Sequence, residues 1–159
     1  MNIAKIHTLY FSATGTTEQV VKATAGILGE CLSAEVTHHC FNLPRAREES
    51  LSFGPNDFVV AGVPVYAGRV PNLLLPYLKE KVRGCGTLAV PVVLFGNRNF
   101  DDGLIELENI LWDDGLCAIS AGAFVGEHAF SDSLGRGRPD GEDMKLAVRL
   151  AKQTAERVR

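Results

Sequence analysis

The chain has 159 residues, enough for one domain with a full core. A hydrophobic fraction of 46% beside 22% charged residues is that of a folded globular protein, and no apolar run is long enough to span a bilayer. Net charge is −3 with no basic stripe, which argues against nucleic acid, and Met1–Tyr10 lacks a signal-peptide layout, so a cytoplasmic protein without a membrane partner is expected.

Ile3–Phe11 is an apolar run of strand type that empties into Ser12-Ala13-Thr14-Gly15-Thr16-Thr17. A helical-period segment follows, in which Val21, Ala25 and Leu28 share a face. A strand, a hydroxyl-rich loop and a helix in that order make an anion site. The unpaired amides of the first turn and the positive end of the helix dipole meet at the loop. Ser12, Thr14, Thr16 and Thr17 bring up to four hydroxyl donors, and Gly15 lets the backbone approach the ligand. No Lys follows, so this is not the P-loop of nucleotide hydrolases. Neutral donors suit a buried phosphate monoester. The bland alternative is a capped helix with nothing bound.

Ala34–Phe41 reads as a second strand, and the adjacent His38 and His39 point to its opposite faces, where they cannot easily share a metal. His7 in the first strand is expected to be a hydrogen-bonded interior residue. Asn42–Asn56 is polar and reads as loop or a ragged helical turn. Asp57–Val63 is the third strand. Leu74, Leu78 and Val82 then suggest one helix face, with Pro71 in the first turn and Pro76 implying a kink or a late start. Leu88–Phe95 is the fourth strand, although Pro91 sits inside it; a bulge there, or a strand starting at Val92, are the two ways out. Leu104, Leu107 and Leu111 line up in a third helix. Cys117–Val125 is the fifth strand. Gly135–Pro139 reads as a flexible basic turn, Asp140 as an N-cap, and Met144, Val148, Ala151, Ala155 and Val158 as the inner face of a last helix.

Alternating strands and helices, with strands near-continuous in apolar residues, indicate an α/β fold with a parallel sheet covered on both faces. Right-handed crossovers favour a doubly wound, three-layer α/β/α domain over residues 1–159, strand order 2-1-3-4-5. Ligands in such sheets bind beyond the carboxyl ends of the strands, at the switch between strands one and three. That singles out the loops after Phe11, Val63 and Phe95. The second reads Pro64-Val65-Tyr66-Ala67-Gly68-Arg69; the third reads Gly96-Asn97-Arg98-Asn99-Phe100. Tyr66 and Phe100 suit a flat heterocycle between them, whose polar edge would meet the backbone of Gly96 to Asn99. A receiver domain of the same topology needs an Asp where this chain has Val63 and Pro64. The cysteines, Cys31, Cys40, Cys85 and Cys117, form no C-x-x-C pair; zinc and iron–sulfur sites are not expected, and buried free thiols are.

With these motifs the sequence resembles the flavodoxin family. The Ser/Thr-x-Thr-Gly-x-Thr loop is complete at Ser12, Thr14, Gly15 and Thr17. Tyr10–Thr17, Gly62–Pro71, Gly96–Arg98 and the later Glu127–Ser131 and Gly137–Asp140 look like the flavodoxin domain of bacterial flavodoxin–ferredoxin fusion proteins. The clustered cysteines of the ferredoxin part are missing, so the chain is a stand-alone relative or a piece of a longer protein. The resemblance implies non-covalent FMN and one-electron transfer to redox partner proteins, such as a ferredoxin or a flavin or iron–sulfur reductase. It places the phosphate on Ser12 to Thr17 and the rings between Tyr66 and Phe100, with backbone contacts from Pro64–Gly68 and Gly96–Asn99. Arg69 and Arg98 near the rings imply a second one-electron couple less negative than in acidic flavodoxins, unless both cations pair with Asp101, Asp102 or Glu127. His128 is expected at the surface. An FMN-dependent NAD(P)H:quinone or small-molecule reductase and a redox-silent binding module are the competing functions.

Overall fold

The computed structural model describes residues 1–96, 99–127 and 135–159. The elements, in chain order, are β1 (Lys5–Tyr10), α1 (Thr16–Leu32), β2 (Glu35–Cys40), β3 (Leu51–Ser52), β4 (Asp57–Pro64), α2 (Leu75–Glu80), β5 (Val82–Arg83), β6 (Thr87–Phe95), α3 (Gly103–Asp113), β7 (Leu116–Ala118), β8 (Gly122–Val125) and α4 (Gly141–Val158). The main sheet is parallel in the order β2-β1-β4-β6, with β7 and β8 both on the far side of β6. This is the doubly wound order expected from the sequence, with the fifth strand cut in two.

Pro91 explains the cut. Ala89 and Phe95 carbonyls accept from Ile119 and Gly126 amides, while the Leu94 carbonyl accepts from Val65. Odd positions of β6 therefore face β7 and β8, and Pro91 presents its missing donor to that side. The Ile119 amide still pairs with Ala89, but the Ile119 carbonyl, between the two short strands, finds no backbone donor at Pro91. α4 holds the gap instead: Arg157 Nη1 donates to the Ile119 carbonyl at 2.5 Å, and Thr154 Oγ1 lies 3.0 Å from Ser120 Oγ. Neither expected escape occurs. The strand runs straight through Pro91, and its neighbour yields.

Each face of the sheet carries its own core. Leu9, Phe41, Val59, Val63, Leu78, Leu107 and Leu111 fill the α2/α3 side. Ile6, Val20, Val21, Leu28, Phe58, Val60 and Ala151 fill the α1/α4 side. The helix faces of α1 and α3 lie as read, with Val21, Ala25, Leu28, Leu107 and Leu111 buried. In α4 the buried stripe is Asp143, Ala147, Ala151, Thr154, Ala155 and Val158; Met144 and Val148 are only half-buried at its flank. Asp140 caps α4 in a capping box with Asp143.

Two expectations need correction. Val82 is not on a helix: α2 ends at Glu80, starting late with Pro76 in its first turn, and Val82 pairs with Leu51 in a two-stranded parallel ladder, β3–β5. That ladder gives the polar 42–56 segment an anchor. The cysteines are free, but Cys40 and Cys85 are exposed and Cys31 and Cys117 half-buried, because Cys40 ends an edge strand and Cys85 lies in a turn. His7, by contrast, is hydrogen-bonded in the interior: its Nδ1 lies 2.9 Å from His39 Nε2. His38 on the opposite face meets Thr8 Oγ1 at 2.9 Å. Among the described residues no helix is long and apolar enough to cross a membrane.

Asp114, just past α3, ties that helix to β5. Its side chain is 4% exposed; Oδ1 accepts from Arg83 Nη1 at 2.9 Å, and Oδ2 has no partner among the described residues. Burial pushes its pKa from 3.8 up to about 7, against the pull of Arg83 and with help from Asp113. The folded state thus holds the Asp114 proton more tightly than the unfolded chain. The associated stability is complete below the ordinary carboxylate range and is lost as pH rises through about 7. Asp114→Asn removes this titration. Its stability relative to the parent should improve between pH 5 and pH 8 by up to about 3 kcal/mol, read from urea midpoints at the two values; a difference that does not change with pH refutes it.

Candidate functional site

Three chain segments converge beyond the carboxyl ends of β1, β4 and β6. The first is the hydroxyl loop. Its entry is fixed by Phe11 N–H donating to the Gly62 carbonyl at 3.1 Å. Gly15 precedes α1 at φ +87°, a backbone angle that favours glycine, and its carbonyl accepts from Gln19. Ser12 Oγ accepts from the Glu18 amide at 3.0 Å, so Ser12 caps the helix from six residues away. The amides of Thr16 and Thr17 have no protein acceptor among the described residues. Thr14 and Thr16 hydroxyls stand 3.4 Å apart. Thr17 is buried, and its methyl faces Gly62: a Cβ on Gly62 would come within 3.0 Å of it and within 2.3 Å of Val21 Cγ2. Gly62 therefore sets how closely α1 and its first turn approach β4.

The second segment follows β4. Tyr66 and Arg69 exchange backbone hydrogen bonds of 2.9 and 3.1 Å around Ala67 and Gly68, which lie at φ +51° and +76°. Two consecutive left-handed residues make a tight two-residue turn of the primed kind, with Ala67 carrying the strain that a glycine would not. The turn is pinned to the segment after β6: Asp102 N–H donates to the Gly68 carbonyl at 3.0 Å. Gly103, the first residue of α3, packs against Val65, where a Cβ would sit 2.8 Å from Cγ2. Burial raises the pKa of the half-buried Tyr66 phenol, so it is neutral at physiological pH.

Between these walls lies a cleft of about 140 Å³. From the loop it is lined by Ala13, Thr14, Thr16 and Thr17. Pro64, Val65, Tyr66 and Ala67 line it from the turn, and Gly96 from the end of β6. These nine site residues are brought together. Buried Ser12 and exposed Gly15 do not line it, and Gly68 faces Asp101. Asn99 turns its side chain to the Asp101 amide at 3.0 Å. Phe100 packs on Phe95, ring centroids 5.5 Å apart, and on the α2/α3 core. Asn97, Arg98 and His128 lie outside the described residues.

Four lining residues were not foreseen: Leu94, Phe95, Gly126 and Glu127. The signal was available, since Phe95 is the last residue of a strand at the switch edge, and Gly126 follows another. The Gly126–Glu127 wall is braced from behind. Glu127 Oε1 accepts from Gly137 at 2.8 Å, and the Glu127 amide donates to the Arg138 carbonyl. Arg138 in turn pairs with Asp143 of α4, which it holds well below the usual carboxylate range, at about 2. The expected flexible turn at 135–139 is thus a strut: Gly135 is buried, and a Cβ there would strike the Gly126 carbonyl at 2.3 Å.

The charges are matched at the rim. Arg69 pairs with Glu106 of α3, which also accepts from the Val70 amide at 2.7 Å. That pair lowers the Glu106 pKa and raises that of Arg69. Arg69 therefore has a carboxylate partner, and it is Glu106 rather than Asp101, Asp102 or Glu127.

No protein-family model and no curated protein matches the sequence. Solved structures do match in fold. A flavodoxin from Streptococcus pneumoniae TIGR4 is 15% identical over 97% of this chain and 99% of its own, with a TM-score of 0.67. An NADH:FMN oxidoreductase in its apo form is 14% identical over 97% and 89%, with a TM-score of 0.65. A variant flavodoxin from Fusobacterium nucleatum bound to flavin mononucleotide is 13% identical over 98% and 97%, with a TM-score of 0.61. The chain has the flavodoxin-like fold, and its cleft opens at the carboxyl edge of the sheet.

Proposed function

We propose that the chain binds FMN non-covalently and carries electrons between redox partner proteins, in a cytoplasmic setting and as one FMN-binding domain over residues 1–159. The observation that carries this reading is the cleft itself. One end is a loop of hydroxyls and of amides without a protein acceptor among the described residues, and the other is bounded by Tyr66 and Phe95. Neutral donors at a helix start suit the phosphate of a monoester. Aromatic walls suit a flat ring system. When bound, FMN would supply the electron chemistry; the chain would supply Thr14, Thr16 and Thr17 to the phosphate, and Tyr66 with the backbone of Pro64–Ala67 and Gly96 to the rings.

The competing reading, an FMN-dependent NAD(P)H:quinone or small-molecule reductase, is favoured by the likeness to an NADH:FMN oxidoreductase. The sequence speaks against it: it carries no second nucleotide fingerprint and no long insertion that would form a lid over a second substrate. The motifs Tyr10–Thr17 and Gly62–Pro71 also support kinship with the flavodoxin part of flavodoxin–ferredoxin fusion proteins, with a ferredoxin as the natural partner class.

The test is an absorption titration with FMN, followed by anaerobic reduction and by assay of NADH oxidation with a quinone. Tight binding with perturbed flavin bands and no turnover is expected. A protein that stays colourless at saturating FMN refutes the assignment, and rapid quinone reduction transfers it to the reductase. Pairing with Glu106 compensates Arg69, so Glu106→Gln should raise the potential of bound flavin, more at low than at high salt. A potential that stays fixed at low ionic strength shows that Arg69 does not act on the ring.

A further inference from the structure

The loop that lines the cleft is held by a residue that does not belong to it. Asn42 lies two positions beyond β2, in the polar segment that leads to β3. Its amide grips the backbone of Ser12 with both ends: Oδ1 accepts from the Ser12 N–H at 2.7 Å, and Nδ2 donates to the Ser12 carbonyl at 3.0 Å. Ser12 is 6% exposed and lies past the last rung of the β1–β2 ladder, so neither group has a strand partner. Asn42 is itself fixed. Arg47 Nη1 donates to the carbonyls of Phe41 and Asn42, both at 2.8 Å, and the Phe41 amide donates to the Tyr10 carbonyl. The short 3-10 helix Pro44–Arg47 turns the chain back so that the guanidinium reaches them.

We propose that Asn42 is a positioning residue for the phosphate site, held in place by Arg47. The inference rests on reading the hydroxyl loop as that site. With both backbone groups of Ser12 bound, the residue has one orientation. Its Oγ is then aimed at the Glu18 amide, and Ala13 to Thr17 start from a fixed point. The Ser12 amide is spent on Asn42, so the anion must be gathered by the amides and hydroxyls that follow. Removing the Asn42 amide leaves a donor and an acceptor unpaired in a buried position, and the loop must relax to reach water.

The test compares ligands that differ only in the phosphate. Asn42→Ala should weaken FMN about tenfold or more and leave riboflavin unchanged. Arg47→Met, which keeps the stem and removes the donors, should do the same to a smaller degree. Equal weakening of both ligands overturns the proposal, because a general loss of structure does not discriminate between them. A second readout needs no flavin: in the apo protein, hydrogen exchange at the Ser12 amide should accelerate at least tenfold in Asn42→Ala while Leu9 keeps its rate. Unchanged exchange at Ser12 overturns the brace. A parent protein that takes up neither FMN nor inorganic phosphate removes the flavin reading instead, and the exchange result then decides the brace alone.

Discussion

The variant Thr14→Ala/Thr16→Ala/Thr17→Val should bind FMN about a thousandfold more weakly than the parent, with riboflavin affinity changed less than threefold. Each of the three threonines lines the cleft at the start of α1. A hydrogen bond to a charged phosphate contributes roughly 1.5–3 kcal/mol. Three such bonds come to about 4–5 kcal/mol once their non-additivity is allowed for, and about 1.4 kcal/mol is a tenfold change in affinity. Valine at 17 keeps the methyl that faces Gly62, so packing between α1 and β4 is preserved. Fluorescence titration with both ligands reads the result. A loss of less than tenfold for FMN means that the phosphate is not held by this loop.

Gly62→Ala should destabilise the protein by about 2–3 kcal/mol, as expected for overpacking a dense core, which lowers Tm by roughly 5–10 °C in a domain of this size. The new methyl would fall 2.3 Å from Val21 Cγ2 and 3.0 Å from Thr17 Cγ2. Val21 is fully buried and, being β-branched on a helix, has essentially one rotamer to offer. The helix must therefore move away from β4. Because its first turn lines the cleft, FMN affinity should fall with stability. Val21→Ala in the same chain should recover part of both. A thermal melt of Gly62→Ala unchanged from the parent would show that α1 shifts freely and that the close approach has no structural role.

Much of this architecture was legible because doubly wound sheets announce themselves locally. Strands buried on both faces read as apolar runs, and the α1, α3 and α4 stripes repeat at the helical period. The hydroxyl loop was legible for the same reason: strand, loop and helix are adjacent in sequence, so composition and position coincide. What escaped was decided by tertiary pairing. Val82 fits a helical stripe with Leu74 and Leu78, yet it is claimed by Leu51, thirty-one residues earlier, in a ladder too short to leave a pattern. The consequence of Pro91 fell on a different strand, because a missing donor is felt by the partner it faces. Phe100 promised a ring wall by its place in a loop, but Phe95 beneath it offered an apolar seat, and Phe95 lines the cleft instead. Asn42 and Glu106 act across thirty and thirty-six residues, with nothing nearby to mark them.

The strut behind Glu127 also bears on synthesis. The hydroxyl loop leaves the ribosome first, but the opposite wall depends on Gly137, Arg138 and the Asp143 carboxylate, which emerge more than a hundred residues later. A nascent chain halted before α4 would own the loop without its counterpart. On the proposed FMN reading, the pocket is complete only once α4 has been translated.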